Sequence, residues 1–363
     1  LKKKLAYISN IPAPYTVRLV TALREFFDAR AFFYEKASGQ RAAFWDMDLP
    51  HYCHIAGPLL WKKNGRFLTG QHLKWLQIFN PDVVVMSGFS IPANYLAYRW
   101  AKARGKKVIV LTEFSRTAAG EMRGKTWEWQ LLTRLYKHVD AVFAVTPEAV
   151  MQFRDVFGFG EKVKAARYAT DLDDYLPHPL RQTGPDLTFL FANRLTDSYN
   201  PLLALKAFYQ VQQEFPQAKL LLNGEGPLRA ACQEFISQFQ LKQVRFLDHL
   251  QHWNDLNIVY SQSDVLLLPA VFSAGNFTIY EAMASGMGLV ISEQVRGNGE
   301  VIVNNENGFR LPVEEHEMAR AMKRYLTDPG LLSAHGEKNK KLVAHLGPKG
   351  TAQLYYQLIQ TLL

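Results

Sequence analysis

Short apolar, β-branched runs alternate with amphipathic helical stretches along this chain, and the series starts afresh near its middle. The first series reads as strand 5–9 (LAYIS), helix 16–27, strand 29–34, helix 70–79, strand 82–87 and helix 92–105. It continues with strand 107–112, helix 125–139 and strand 141–146. The second reads as strand 187–192, helix 201–215, strand 219–224, helix 226–239, strand 244–248, helix 252–263 and strand 265–270. After these come helix 277–286, strand 289–293 and helix 315–327. Strands that are apolar throughout, with helices between them, belong in parallel sheets covered on both faces. Two doubly wound units follow from the repeat of the pattern, and 363 residues is more than one core usually accommodates. The joint falls at 167–186, where Pro and Asp concentrate, giving expected domains at 1–169 and 170–346. After the break GPKG (347–350), a terminal helix is expected to pack back on the first domain, the whole segment being 347–363.

Charge separates the two halves. Residues 1–170 hold 26 Lys and Arg against 13 Asp and Glu, whereas the remainder holds 16 against 20. Only the first half is therefore expected to face an anionic partner, such as an anionic membrane surface or a phosphate-bearing acceptor. A nucleic-acid partner is not expected, because the basic residues are scattered and no basic helix carries base-reading side chains. The exposed stretch LLWKKNGRF (59–67) could lie on a lipid surface, while the Trp pair of KTWEWQLL (125–132) reads as ordinary packing. No signal-peptide pattern opens the chain and no apolar run is long enough to span a bilayer. A cytoplasmic protein is expected, peripheral at the inner membrane face at most. Cys53 and Cys232 lie far apart without metal-like spacing and read as packing residues, and no metal site is expected.

In open α/β sheets ligands bind beyond the C-terminal ends of the strands. Three loops of the second half end strands there. In FANRLTDSYNP, Arg194 stands just past the strand, where a guanidinium can grip a phosphate with two hydrogen bonds. In LLNGEGPL, Gly224 and Gly226 permit a tight strand-to-helix turn, with Pro227 suited to a first helical turn. In VFSAGNFTIYEAMASG a loop runs into a helix, whose opening amides and dipole favour an anion. Glu281 lies about a turn inside that helix among small residues, and it can accept hydrogen bonds from neutral hydroxyls.

Taken together, NRLTDSYNPLLALKAF, LLLNGEGPL, VRFLD and SDVLLLPAVFSAGNFTIYEAMASGMGLVIS resemble, in order and spacing, the retaining family-4 glycosyltransferases of the GT-B fold. The segment RGNGEVIVNNENGFRLP resembles the stretch that follows in that family. The resemblance implies two Rossmann-like domains facing across a cleft, with the C-terminal helix returning to the N-terminal domain. It implies a hexosyltransferase that needs no cofactor and moves a sugar from a nucleotide donor, UDP- or GDP-linked, to a saccharide or lipid-linked acceptor. Surface polysaccharide or glycolipid assembly is the implied setting.

On this resemblance Arg194 pairs with the donor diphosphate and Glu281 holds the ribose. Gly224, Gly275 and the amides of Asn276, Phe277 and Thr278 line the donor. Two positions depart from the family pattern. Ser273 stands where a carboxylate reads the donor sugar, and Tyr199 where a lysine shares the diphosphate. Either the donor differs, with Arg296 and Asn298 supplying replacement contacts, or the chain is a weakly active or non-catalytic nucleotide- or glycan-binding protein. On the acceptor side, Pro14 and Tyr15 of IPAPYTV shape the first strand-to-helix loop. Glu113 ends another strand as a candidate catalytic group, and Arg116 follows as a candidate for acceptor phosphate.

Overall fold

The computed structural model describes all residues except 1, 37–47, 58, 64–65, 114–123, 125, 249–254 and 274–275, and of residue 298 only the backbone. The chain divides into two compact units, Leu1–Ala169 with Pro348–Leu363, and Thr170–Gly347.

In the first unit the strands are β1 (Lys4–Ser9), β2 (Asp28–Phe33), β3 (Cys53–Ile55), β4 (Trp61–Lys63), β5 (Arg66–Leu68), β6 (Val83–Ser87), β7 (Lys107–Thr112), β8 (Ala141–Ala144) and β9 (Val163–Ala165). Seven of them form a parallel sheet in the order β3-β2-β1-β6-β7-β8-β9, while β4 and β5 pair antiparallel as a separate ribbon. Helices α1 (Pro14–Leu23), α2 (Gln71–Phe79), α3 (Pro92–Lys102), α4 (Trp127–Leu135) and α5 (Pro147–Met151) connect them. Because side chains alternate along a strand, each strand feeds two cores. Leu5, Tyr7, Val83, Val85, Ile109 and Leu111 pack on the α1 side. Ala6, Ile8, Val84, Met86, Val108 and Val110 pack on the side of α2, α3 and α4. The terminal helix Pro348–Gln360 joins the α1-side core through Ala352, Tyr355 and Ile359. It is fixed there by Tyr355 Oη donating to the Arg167 carbonyl at 3.0 Å.

The second unit holds β10 (Thr188–Phe191), β11 (Lys219–Asn223), β12 (Val244–Leu247), β13 (Val265–Leu268), β14 (Gly288–Ser292) and β15 (Phe309–Leu311). They form one parallel sheet ordered β12-β11-β10-β13-β14-β15. Its helices are α6 (Pro201–Gln212), α7 (Arg229–Gln238), α8 (Asp255–Ser261), α9 (Phe277–Ala284), α10 (Glu315–Thr327) and α11 (Leu331–Val343). Both units are thus doubly wound parallel sheets of the Rossmann type, as the alternation of the sequence requires.

Several local expectations are corrected. The terminal helix begins at Pro348, so most of GPKG is its first turn, proline being compatible with a position whose N–H has no helical partner. Helix α7 begins at Arg229, leaving Pro227 in the preceding turn. The strands β3, β4, β5 and β9 escape a periodicity reading because each has only three residues. Helix α11 escapes it because its buried face includes His335, Gly336 and Asn339. Trp129 packs as expected, stacked on Phe157 at 4.1 Å, but Trp127 stands 73% exposed.

Candidate active site

In the second unit the chain winds outward from β10 through β11 to β12, then returns to β13 beside β10 and continues through β14 to β15. The loops leaving β10 and β13 therefore diverge, and a crevice opens between them at the C-terminal edge of the sheet. Arg194 and Tyr199 lie on the first loop; Ser273, Asn276 and the start of α9 lie on the second.

The loop carrying Arg194 is fixed by backbone. Leu195 N–H donates to the Glu225 carbonyl at 2.7 Å, and Leu228 N–H donates to the Leu195 carbonyl at 3.0 Å. Gly226 lies at φ +143°, and a Cβ there would stand 2.4 Å from the Leu195 carbonyl oxygen. At Gly224 a Cβ would stand 2.4 Å from the Asp248 carboxylate, which pairs with Arg229 at 2.6 Å. The glycines thus bring the β11 and β12 ends against the Arg194 loop. Arg194 itself is exposed, and its guanidinium forms no hydrogen bond or ion pair with a described residue. Tyr199 is half-buried and packs against both cores of the unit. Burial raises its hydroxyl pKa, and the nearby Arg194 charge opposes this.

The second loop is tied to the first where Val271 N–H donates to the Ser198 carbonyl at 2.9 Å. Asn276 caps α9, its Oδ1 accepting from Thr278 N–H at 3.1 Å and Thr278 Oγ1 at 2.6 Å. Thr278 Oγ1 also lies 3.5 Å from Asn193 Oδ1, on the other side of the switch point. Of the three amides nominated from sequence, that of Thr278 is therefore turned onto its own cap. Phe277 opens the helix.

Glu281 is buried one turn further on, and Tyr260 Oη donates to its Oε2 at 2.8 Å. Burial pushes its pKa up to about 7; the Tyr260 bond lowers it and the nearby Asp171 charge raises it. Neither Tyr260 nor Asp171 was legible as a site residue, since each reaches Glu281 only through the fold.

Ser273 is buried and bridges in parallel to Val295. Its carbonyl accepts from Arg296 N–H at 2.8 Å, so the two residues proposed to exchange roles are neighbours in the backbone. Arg296 also lines an open groove of about 620 Å³ with Glu293, Glu300 and Arg310. That groove lies beyond β14 and β15 and includes neither Arg194 nor Glu281.

In the first unit Pro14 is the first residue of α1 and Tyr15 the second. Tyr15 lies in electrostatic reach of Tyr7 and Tyr168. Glu113 is exposed at the end of β7 and is hydrogen-bonded to Tyr168, whose pKa burial and that carboxylate push well above the phenol range. The structure therefore gathers Tyr15 and Glu113 around Tyr168, a residue sequence reasoning passed over. Gly275 and Arg116 lie outside the described residues. Among the described residues no group of three or more His, Cys, Asp or Glu could hold a metal ion. No helix among them is long and apolar enough to cross a membrane.

Comparison with known proteins follows the division of the chain. Residues 178–342 match the family described as Glycosyl transferases group 1, and residues 15–173 match Glycosyltransferase Family 4. The putative colanic acid biosynthesis glycosyltransferase WcaL of Escherichia coli K12 is 25% identical over 172 residues, 46% of this chain and 41% of that protein. The chain spans less than half the length of the first curated relatives it matches. A glycosyltransferase from Rickettsia africae superposes with a TM-score of 0.76 at 15% identity, covering 99% of this chain and 98% of that one. HepE of Anabaena, solved in complex with UDP-glucose, superposes with a TM-score of 0.69 at 14% identity, covering 99% of both chains. The chain has the GT-B fold and is related, half by half, to the glycosyltransferases of group 1 and family 4.

Proposed function

We propose that this protein is a retaining glycosyltransferase, of hexosyltransferase type, that uses a UDP- or GDP-sugar and a saccharide or lipid-linked acceptor. The observation that carries this reading is Arg194, whose guanidinium has no partner among the described residues and whose loop, held by backbone bonds, leaves β10 beside the strand whose loop leads into α9 and the buried Glu281. Such a cation with helix amides neutralises a diphosphate as it leaves. Support comes from the relatives: one is named for colanic acid biosynthesis and a structural neighbour holds UDP-glucose. Surface polysaccharide or glycolipid assembly at the inner face of the membrane is the corresponding setting.

In the proposed reaction the bond from the sugar's anomeric carbon to the diphosphate oxygen breaks while the acceptor hydroxyl forms its bond on the same face. The departing diphosphate takes the acceptor proton and leaves against Arg194 and the amides of Asn276 and Phe277. Gly224, Gly275 and Glu281 line the donor, and Arg296, bonded through its backbone to Ser273, contacts the donor sugar in place of a carboxylate. Pro14, Tyr15 and Arg116 bind the acceptor, with Glu113 orienting its hydroxyl. Beyond donor and acceptor the proposed reaction requires no separate cofactor.

A second reading, a nucleotide- or glycan-binding protein without turnover, is favoured by Tyr199, whose packing into both cores gives it a structural role where a second cation would assist the leaving group. A thermal-shift screen of nucleotides and nucleotide-sugars decides first. A ligand at about 100 times its Kd adds about 2.7 kcal/mol of stability. One nucleotide-sugar is expected to raise the midpoint, and Arg194→Ala is expected to weaken its binding roughly 10- to 100-fold through loss of charge-assisted bonds. If no nucleotide-sugar binds, the transferase reading fails. If one binds without turnover on any saccharide or lipid-linked acceptor tried, the second reading stands. NMR of the product anomer tests retention, and Arg296→Ala leaving donor affinity and turnover untouched removes that residue from the site.

A further inference from the structure

Glu281 is 5% exposed, on a helix whose Ile279, Ala282 and Met283 belong to the same core as Tyr175 and Tyr260. A carboxylate offers about four lone-pair sites to hydrogen-bond donors. Among the described residues its side chain has one hydrogen-bond partner, the Tyr260 hydroxyl at 2.8 Å from Oε2, and no cation pairs with it. A buried carboxylate with most of its acceptor capacity unused is costly unless further donors reach it. Neutral hydroxyls of a ligand are donors of the right kind.

The Tyr260 hydroxyl is itself firmly placed. The buried guanidinium of Arg181 donates to the Tyr260 carbonyl at 2.9 Å, to that of Ser261 at 3.1 Å and to that of Ser263 at 2.9 Å. These are carbonyls at the end of α8, which have no partner within the helix. Asp264 lies 3.7 Å from the same guanidinium. The Tyr175 ring meets the Tyr260 ring edge-on at 5.2 Å. Tyr260 is 1% exposed, and burial together with the Glu281 charge pushes its pKa well above the phenol range, so the hydroxyl keeps its proton and donates. A glutamate side chain is rich in rotamers, and a ligand that must order it binds more weakly than one that finds it already held.

We propose that Tyr260 is a positioning residue: it holds Glu281 by Oε2 and so presets the carboxylate to accept the vicinal hydroxyls of the donor's ribose. The inference rests on the transferase reading, in which Glu281 lines the donor, and adds the group that sets this carboxylate. A mere tie between α8 and α9 would act on every ligand of the unit alike. A positioned carboxylate acts only on ligands that carry the hydroxyls, and a comparison of such ligands separates the two roles.

Calorimetric titration of the full chain with UDP and GDP, each against its 2′,3′-dideoxy counterpart, tests the proposal at pH 8, where Glu281 with its pKa of about 7 is ionised. The wild type is expected to bind the ribose form of one nucleotide roughly 30-fold more tightly than the dideoxy form. Tyr260→Phe is expected to lower that ratio roughly tenfold while leaving the dideoxy affinity unchanged. Glu281→Gln is expected to lower it as well, and adding Tyr260→Phe to Glu281→Gln to change it by less than about twofold, because the two side chains act as one unit. The proposal is overturned if Tyr260→Phe leaves the ratio unchanged, weakens both forms equally, or has its full effect on top of Glu281→Gln. A Tyr260→Phe chain that does not fold would make the bond a tie of the fold alone and overturn it too. Binding without this ribose contrast ends the inference and leaves the transferase reading standing, whereas no binding of either nucleotide in either form removes both.

Discussion

Glu281 shows what a single residue owes to its surroundings. Its place on α9 beside Ala282 and Ala284 is legible, because small residues let neighbouring elements close over a helix. Its chemistry is not, because Tyr260 comes from α8 and Asp171 from the start of the unit. With its pKa raised to about 7, the folded chain holds this proton more tightly than the unfolded chain does. The stabilisation is complete below the unfolded value near 4.5 and is lost as pH rises through about 7. Its size is up to about 3 kcal/mol. The buried His72 and His335 and the partly buried His178, whose pKa values desolvation lowers, act in the opposite sense. The comparison is therefore with Glu281→Gln: between pH 5 and pH 8 the wild type is expected to lose stability relative to the variant, measured by urea unfolding. Parallel pH profiles for the two proteins would show that the carboxyl does not titrate in this range.

At the scale of elements, the GEG turn after β11 is the informative case. Its glycines suggest a tight turn or a ligand contact, and the structure adds a third reason. Gly226 sits where its Cβ would collide with the Leu195 backbone, in a conformation other residues avoid. The neighbouring strand-end loop cannot yield without moving Arg194. Gly226→Ala is expected to destabilise the second unit by about 3 kcal/mol or more and to weaken donor binding in the same thermal-shift assay. A neutral effect on both would mean that the loop relaxes independently of Arg194. The same close approach explains why α11 is hidden in the sequence: a Cβ on Gly336 would stand 2.4 Å from the Gly286 carbonyl, and Asn339 bonds the Asn307 backbone at 2.9 Å. A helix that docks through glycine and asparagine shows no apolar stripe.

For the whole molecule, the last helix belongs to the unit that holds the first strand. Tyr355 is fully buried there, against Phe143 at 5.2 Å, and Tyr356 stacks on Phe26 at 4.7 Å. Tyr355→Ala is expected to cost about 3–5 kcal/mol, confined to the first unit. Calorimetry should then show one transition lowered and the transition of the second unit, followed by its donor-induced shift, unchanged. Equal loss in both would mean that the two units unfold together.

The sequence by itself determined the two doubly wound units, because a strand buried on both faces must be apolar at every position and a covering helix must show a stripe. It also determined where the strand-end loops of the second unit fall, since strand ends, helix starts and glycine turns are local. The tertiary structure alone decided which residues meet. Tyr168 at Glu113, Tyr260 and Asp171 at Glu281, and Arg296 beside Ser273 are encounters between segments distant in the chain, and no local periodicity encodes such a distance. It alone also decided that Leu60, Trp61 and Trp127 face outward, because a hydrophobic side chain records that it prefers burial and not which partner provides it.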